Sequence, residues 1–171
     1  MIFELMEYFE EFKKFLEFHN LESPAGCSKE EILGLEKSIG YSLPKAYKDY
    51  LYLVGKDYEG VMVGTDCFVD NVISNNKYLP ELLEENKLST DNLPDNYLAF
   101  FCHQGYMMAW FQLPADKDDP VCYHYFEGST KVPQEYGTFS EFMNTDLIGN
   151  AKLRVENRKF EKNNKWWKFW R

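Results

Sequence analysis

The chain has 171 residues, of which 44% are hydrophobic and 18% aromatic, and its formal net charge is −9. This composition predicts one compact domain, with or without an extension, and excludes a largely disordered chain. No apolar run approaches the roughly 20 residues that cross a bilayer. The start carries four glutamates within eleven residues, which predicts no signal peptide.

The four cysteines are widely spaced, and no C-x-x-C pair occurs. Secreted disulfide frameworks and zinc sites have closer and more regular spacings. We therefore predict reduced, mostly buried thiols in a cytoplasmic protein. The cysteines are Cys27, Cys67, Cys102 and Cys122.

Charge is divided unevenly along the chain. Residues 151–171 hold eight basic and two acidic residues, a net charge of +6, so residues 1–150 hold 11 basic and 26 acidic residues, a net charge of −15. An acidic body repels nucleic acid and attracts basic proteins. The alternative explanation is a solvated surface that keeps the protein soluble.

The first predicted element is an amphipathic helix near the start of the chain, followed by a loop over residues 20–27. The apolar residues of this helix recur at helical spacing, with Glu4, Glu7, Glu11 and Lys14 on the other side. They are Ile2, Leu5, Met6, Phe9, Phe12, Phe15 and Leu16.

Residues 28–55 carry the start and stop signals of two helices. Ser28 and Glu31 predict a capping box, and Gly40 follows the first helix where a left-handed residue would end it. Pro44 opens the second helix and Gly55 ends it. The apolar stripes predicted to be buried are Ile32, Leu35 and Ile39, then Tyr47, Leu51 and Val54.

The middle of the chain predicts short strands at 60–64 and 67–69, joined by a turn. A helix is predicted over 71–87, with a break or kink near Leu79 because Pro80 lies inside its pattern.

Three antiparallel strands are predicted next, at 97–102, 106–113 and 121–126. The second is apolar on both faces, which predicts cover on both sides, although a surface for a protein partner is the alternative. The last predicted helix spans 139–148 and ends at Gly149 and Asn150.

The helix pair resembles the SUKH superfamily, whose best-known members are the Smi–Knr-type domains. The resemblance rests on E-E-I-x-x-L-E-K-x-I-G-Y-x-L-P and the Y-x-x-Y-L-x-x-V-G that follows, and weaker similarity extends it over residues 28–148. It implies an α+β domain over residues 1–150, with a mixed, largely antiparallel sheet and flanking helices. Many bacterial members look like immunity proteins that neutralise a partner toxin, often a nuclease. The matching residues are Glu31, Ile32, Leu35, Glu36, Ile39, Gly40, Leu43, Pro44, Tyr47, Leu51 and Gly55.

The sequence gives little support for a catalytic site or a metal site. Cys122 and His124 share a strand face, and Cys102 or His103 could join them. The spacing matches no zinc pattern, and no third residue orients a cysteine–histidine pair for nucleophilic catalysis. No glycine loop could hold a phosphate. We therefore expect no cofactor, no metal and no enzymatic activity.

The expected function is binding of another protein. The first hypothesis is an immunity protein that blocks a cognate toxin, with a basic nuclease as the toxin that suits the acidic body. The alternative is a non-catalytic regulatory scaffold for an endogenous protein. Neither nucleic acid nor a membrane is expected as a partner, and the chain is expected as a monomer or homodimer. The predicted partner-binding carboxylates, on loops beside the SUKH-like motif, are Asp57, Glu59, Asp66 and Asp70.

Residues 151–171 form a basic and aromatic C-terminal extension that ends in K-W-W-K-F-W-R. It could pack on its own acidic body, on another chain or on an anionic membrane. Leu153, Phe160 and Trp167 recur every seven residues, which favours a helix packed on protein.

Overall fold

The computed structural model describes residues 7–58, 61–131 and 133–165, with side chains as far as residue 160. Five helices and five strands occur in these ranges, in the predicted α+β class. In chain order they are α1 (Glu10–Phe18), α2 (Lys29–Ile39), α3 (Lys45–Val54), β1 (Thr65–Asp66), α4 (Val72–Glu85), β2 (Tyr97–His103), β3 (Met107–Gln112), β4 (Val121–Phe126), β5 (Gln134–Thr138) and α5 (Phe139–Lys165). Within the described ranges, no helix combines the length and apolar character needed to cross a bilayer.

The capping signals of α2 and α3 are confirmed. The Ser28 hydroxyl accepts a hydrogen bond from the Glu31 amide at 3.2 Å, and the Glu31 carboxylate accepts one from the Ser28 amide at 2.7 Å. Gly40 has a φ of 77°, the left-handed conformation that ends a helix. Pro44 immediately precedes α3, and Gly55 immediately follows it. These local features fix where the two helices begin and end without help from distant parts of the chain.

The sheet is a five-stranded antiparallel meander in the order β1-β2-β3-β4-β5. Leucines of α4 pack with Met108 and Trp110 on one face. Residues of α1, α2, α3 and α5 pack with Ala109 and Phe111 on the other. Since β3 lies between these two hydrophobic layers, its predicted burial on both faces is confirmed.

The prediction of two strands at 60–64 and 67–69 is wrong. Only Thr65 and Asp66, within the predicted turn, pair with β2. Met62 has a φ of 59° and Gly64 a φ of 75°, so the chain before them cannot remain extended. The apolar residues that suggested a strand fill the core from a loop, since Val61 and Met62 are both buried.

Of the break or kink predicted near Leu79, the break is wrong, because α4 continues through Pro80. A kink at that point stays a prediction. Proline has no amide hydrogen to donate to the carbonyl four residues earlier. That carbonyl belongs to Asn76, and the Tyr97 hydroxyl donates to it at 3.0 Å. A side chain of β2 thus satisfies the acceptor that Pro80 leaves free.

The end of the sheet and the last helix differ from the predictions. Strand β5 was not predicted, and α5 runs through Gly149 and Asn150 to Lys165 instead of ending there. Glycine inside a helix costs about 1 kcal/mol relative to alanine. Burial of Leu147 and Ala151 on either side of Gly149 offsets this cost, because both side chains are fully covered by the core. The helix therefore crosses the boundary predicted between domain and extension, and that boundary stays a prediction.

Candidate partner-binding surface

Three of the four predicted partner-binding carboxylates are exposed: Asp57, Asp66 and Asp70. The fourth, Glu59, lies outside the described residues. Asp57 belongs to an isolated bridge in which its carbonyl accepts a hydrogen bond from the Ala25 amide at 2.8 Å. The backbone around Asp57 is therefore fixed although its side chain faces solvent.

These three carboxylates lie on adjoining segments of the structure. The Val69 amide donates to the Gly55 carbonyl at 2.8 Å, which brings the segments carrying Asp57 and Asp70 together. Asp66 lies on β1, opposite Cys102 of β2, at the sheet edge. Its side chain accepts a long hydrogen bond, 3.5 Å, from the Asn71 amide group.

Further exposed carboxylates surround Tyr78 on α4. The Tyr78 hydroxyl donates to the Gly105 carbonyl at 3.1 Å, which fixes α4 to the turn between β2 and β3. Burial raises the pKa of this hydroxyl, and three neighbouring carboxylates raise it further: Glu81, Glu85 and Glu127. We call Asp66, Glu81, Glu85 and Glu127 the acidic rim, since they lie around the β2–β3 turn.

The acidic rim is not neutralised by the described part of the chain. No described lysine or arginine forms an ion pair with any of its four carboxylates. Other carboxylates do have such partners: Glu31 pairs with Lys56 at 2.8 Å, and Glu36 pairs with Lys48 at 2.8 Å. Unpaired carboxylates on neighbouring elements produce a negative field that attracts basic molecules and speeds their association.

Exposed aromatic surface adjoins the acidic rim. Phe126 is 48% exposed and immediately precedes Glu127. Its ring meets the Tyr106 ring edge-on at 5.6 Å, and the Glu127 amide donates to the Tyr106 carbonyl at 2.8 Å. Protein interfaces are enriched in aromatic contact area and are surrounded by a polar, solvent-accessible rim. This combination makes the rim the best candidate surface for a protein partner.

Sequence reasoning missed the residues of the rim on α4 and after β4. Tyr78, Glu81 and Glu85 are spaced i, i+3 and i+7, so one helix face carries all three. That signal was available in the sequence, but it could not place Glu127 beside them. The juxtaposition depends on α4 and the residue after β4 both bonding to the β2–β3 turn, through the Tyr78 hydroxyl and the Glu127 amide.

The cysteines do not converge on a metal or a substrate. Cys102 packs among the α4-side residues, whereas Cys122 packs in the core on the opposite face of the sheet. Burial raises the pKa of the Cys122 thiol to about 12 and that of Cys27 to about 11, so neither is a thiolate at neutral pH. Among the described residues, no group of three or more potential ligands could hold a metal ion. All four thiols are buried and unpaired.

A groove of about 360 Å³ lies between α2, α4 and the start of β2. Its polar groups are used to join elements of the fold. The Asn76 side chain accepts a hydrogen bond from the Ala99 amide at 2.7 Å and donates to the Tyr97 carbonyl at 3.4 Å. The groove is thus a junction between α4 and β2, and it carries no catalytic constellation.

The carboxylate of Asp146 is largely buried, which is unfavourable for its charged form. Burial raises the pKa of Asp146, on α5, from 3.8 to about 6. Burial raises the pKa of the Cys67 thiol to about 12, and the Asp146 charge adds to that shift. Desolvation disfavours the charged form of a carboxylate, so Asp146 destabilises the fold when it is ionised.

Asp146→Asn is therefore expected to stabilise the protein at neutral pH by roughly 1–3 kcal/mol. The pKa of Asp146 is higher in the folded chain, so its contribution to stability is complete below about pH 4 and is lost as the pH rises through 6. Urea unfolding of both proteins from pH 4 to 8 measures the difference. The difference in free energy of unfolding between the two proteins should vanish near pH 4. The matched substitution of an exposed carboxylate, Asp116→Asn, should leave the free energy of unfolding close to that of the wild type. A gain in Asp146→Asn that does not depend on pH would contradict the view that burial of the Asp146 charge is the cause.

A comparison with known protein families gives a match, and the matched range contains all the residues of the acidic rim. A family model described as SMI1-KNR4 cell-wall matches residues 29–143, more than half of the chain. The matched range begins at α2, contains the whole sheet and ends at the fifth residue of α5. No curated protein matches the chain. The chain belongs to the SMI1-KNR4 family of the SUKH superfamily.

Proposed function

We propose that this protein is an immunity protein that binds a basic bacterial toxin in the cytoplasm and blocks it by occlusion. Membership of the SUKH superfamily is the observation that carries the proposal. Toxins that act on nucleic acid carry basic surfaces to hold phosphates, so a nuclease is the toxin class that fits best.

The acidic rim supports this proposal. Its carboxylates have no cationic partner in the described chain, and exposed aromatic surface adjoins them. Charge at such a surface chiefly raises the association rate, while aromatic contacts at the centre slow dissociation. An inhibitor that must intercept a toxin before it acts benefits from both.

A regulatory scaffold is the second candidate. The description of the matched family names the cell wall, and this is the observation in favour of an endogenous protein partner. Both candidates act by binding another protein. The contacts within the described residues are compatible with either one.

Co-expression tests the proposal. If this chain is an immunity protein, we expect the gene beside its own to encode the toxin. The product of that adjacent gene is expressed in bacteria with this chain or with an unrelated acidic protein of similar size. We expect growth arrest that only this chain relieves. An adjacent product that does not slow growth, or equal relief by the unrelated acidic protein, would contradict toxin neutralisation.

A further inference from the structure

The second half of α5 carries an apolar face that the described body does not cover. Phe142, Leu153 and Phe160 are separated by 11 and 7 residues, so the helical repeat brings all three within about 20° of one face. Phe142 is buried, and its ring meets the Phe101 ring on the sheet at 5.1 Å. Leu153 and Phe160 are 59% and 68% exposed. The face that packs on the sheet at the start of α5 is therefore open at its end.

The other side of the same helix segment is fixed to the body. Ala151 is fully buried, and Val155 packs against the main core. The Arg154 guanidinium lies 5.6 Å from the centre of the Tyr58 ring and 3.6 Å from the Glu22 carboxylate. The helix thus cannot rotate to bury Leu153 and Phe160 without losing these contacts.

Charge indicates what could cover this face. Residues 151–171 carry a net charge of +6, and Arg158 and Lys159 directly precede Phe160. A basic toxin would be repelled by this extension, whereas an acidic surface with exposed aromatic groups would complement it. This chain supplies such a surface in its acidic rim, where Phe126 and Glu127 are neighbours.

We propose that the C-terminal extension of one copy docks on the acidic rim of a second copy through Leu153 and Phe160. Reciprocal docking makes two identical contacts about a two-fold axis, which closes the assembly as a dimer. The proposal does not depend on toxin neutralisation, because it concerns two copies of this chain alone. A toxin that binds the same rim would displace the extension of the second copy, so the two contacts exclude each other.

Sedimentation velocity of the full-length protein tests the proposal. We expect a dimer at low ionic strength that weakens as salt is added, because exposed charges are screened. Leu153→Ser/Phe160→Ser should raise the dimer dissociation constant about tenfold or more, and Glu81→Lys/Glu85→Lys/Glu127→Lys should do the same. The matched controls remove exposed apolar groups or reverse exposed charges elsewhere and should leave the dimer intact: Leu33→Ser/Ile73→Ser and Glu11→Lys/Glu17→Lys/Asp116→Lys.

Mixing the two weakened variants gives the sharper test. The extension variant keeps a normal rim, and the rim variant keeps a normal extension. Together they can form one native contact, so a mixed dimer should appear where neither variant dimerises alone. A monomeric wild-type protein at low salt, or a dimer that neither variant weakens, would overturn the proposal. Failure of the mixture to associate would overturn the extension-to-rim pairing.

Discussion

Reversing Glu81, Glu85 and Glu127 together to lysine is expected to slow association with a basic protein partner by about tenfold or more. These carboxylates have no described cationic partner, so their charge acts at a distance on an approaching molecule. The dissociation rate should change less, because long-range charge acts mainly before contact. Stopped-flow or surface-binding kinetics over a range of salt concentrations measures both rates. The dependence of the association rate on salt should become flatter in the variant.

A second charge reversal locates the surface. Asp57→Lys/Asp70→Lys changes the two exposed predicted carboxylates that are not part of the acidic rim. We expect a smaller effect on the association rate from this pair than from the rim substitutions. If the pair slows association as much as the rim variant does, the attraction comes from the overall charge of the body, and the rim has no special role.

Gly26→Ala is expected to destabilise the fold by roughly 3 kcal/mol or more. A methyl group on Gly26 would overlap the carbonyl oxygen of Tyr52 in α3. The next residue, Cys27, donates its amide to the Leu51 carbonyl at 2.8 Å, so the loop is held tightly against the helix. Relief of the overlap requires either this hydrogen bond to lengthen or α3 to move within a buried layer. Urea unfolding with a common slope gives the change in free energy.

Gly34→Ala is the matched control for this substitution. Gly34 lies inside α2, and a methyl group there would meet no atom within 4 Å apart from its chain neighbours and the nearby backbone of the helix itself. Alanine is the better helix former, so stability should rise by about 1 kcal/mol. Equal effects of the two substitutions would show that the loop before α2 does not approach α3 as closely as described.

The elements that were predicted correctly depend on interactions between near neighbours in the chain. Ser28 and Glu31 satisfy each other's amides within one helical turn, and Gly40 ends α2 through its own backbone preference. Such signals can be read from a few adjacent residues. Their completeness explains why the helix pair also carried the family resemblance.

The elements that were predicted wrongly depend on distant residues. Pro80 would break an isolated helix, but the Tyr97 hydroxyl satisfies the carbonyl that it leaves free. Gly149 would end an isolated helix, but the core buries Ala151 beyond it. In both cases tertiary packing outweighs a local preference of a few kcal/mol at most.

The acidic rim could be predicted only in part for the same reason. Asp66 was identified from its loop position, and the helical spacing of Glu81 and Glu85 was visible in the sequence. Glu127 joins them only because a sheet brings the end of β4 to the β2–β3 turn. The exposure of Leu153 and Phe160 could not be predicted either, because only the structure shows that the end of α5 extends past the residues that pack against its start.

We propose that this protein acts by binding a basic toxin at its acidic rim. Titration calorimetry of the purified chain with the product of the adjacent gene, an inactive form if necessary, tests it most directly. We expect a one-to-one complex whose affinity falls with added salt and falls further in Glu81→Lys/Glu85→Lys/Glu127→Lys, while Glu11→Lys/Glu17→Lys/Asp116→Lys binds as the wild type does. Absence of a complex, or a complex that is equally tight in both triple variants, would contradict toxin binding at the acidic rim.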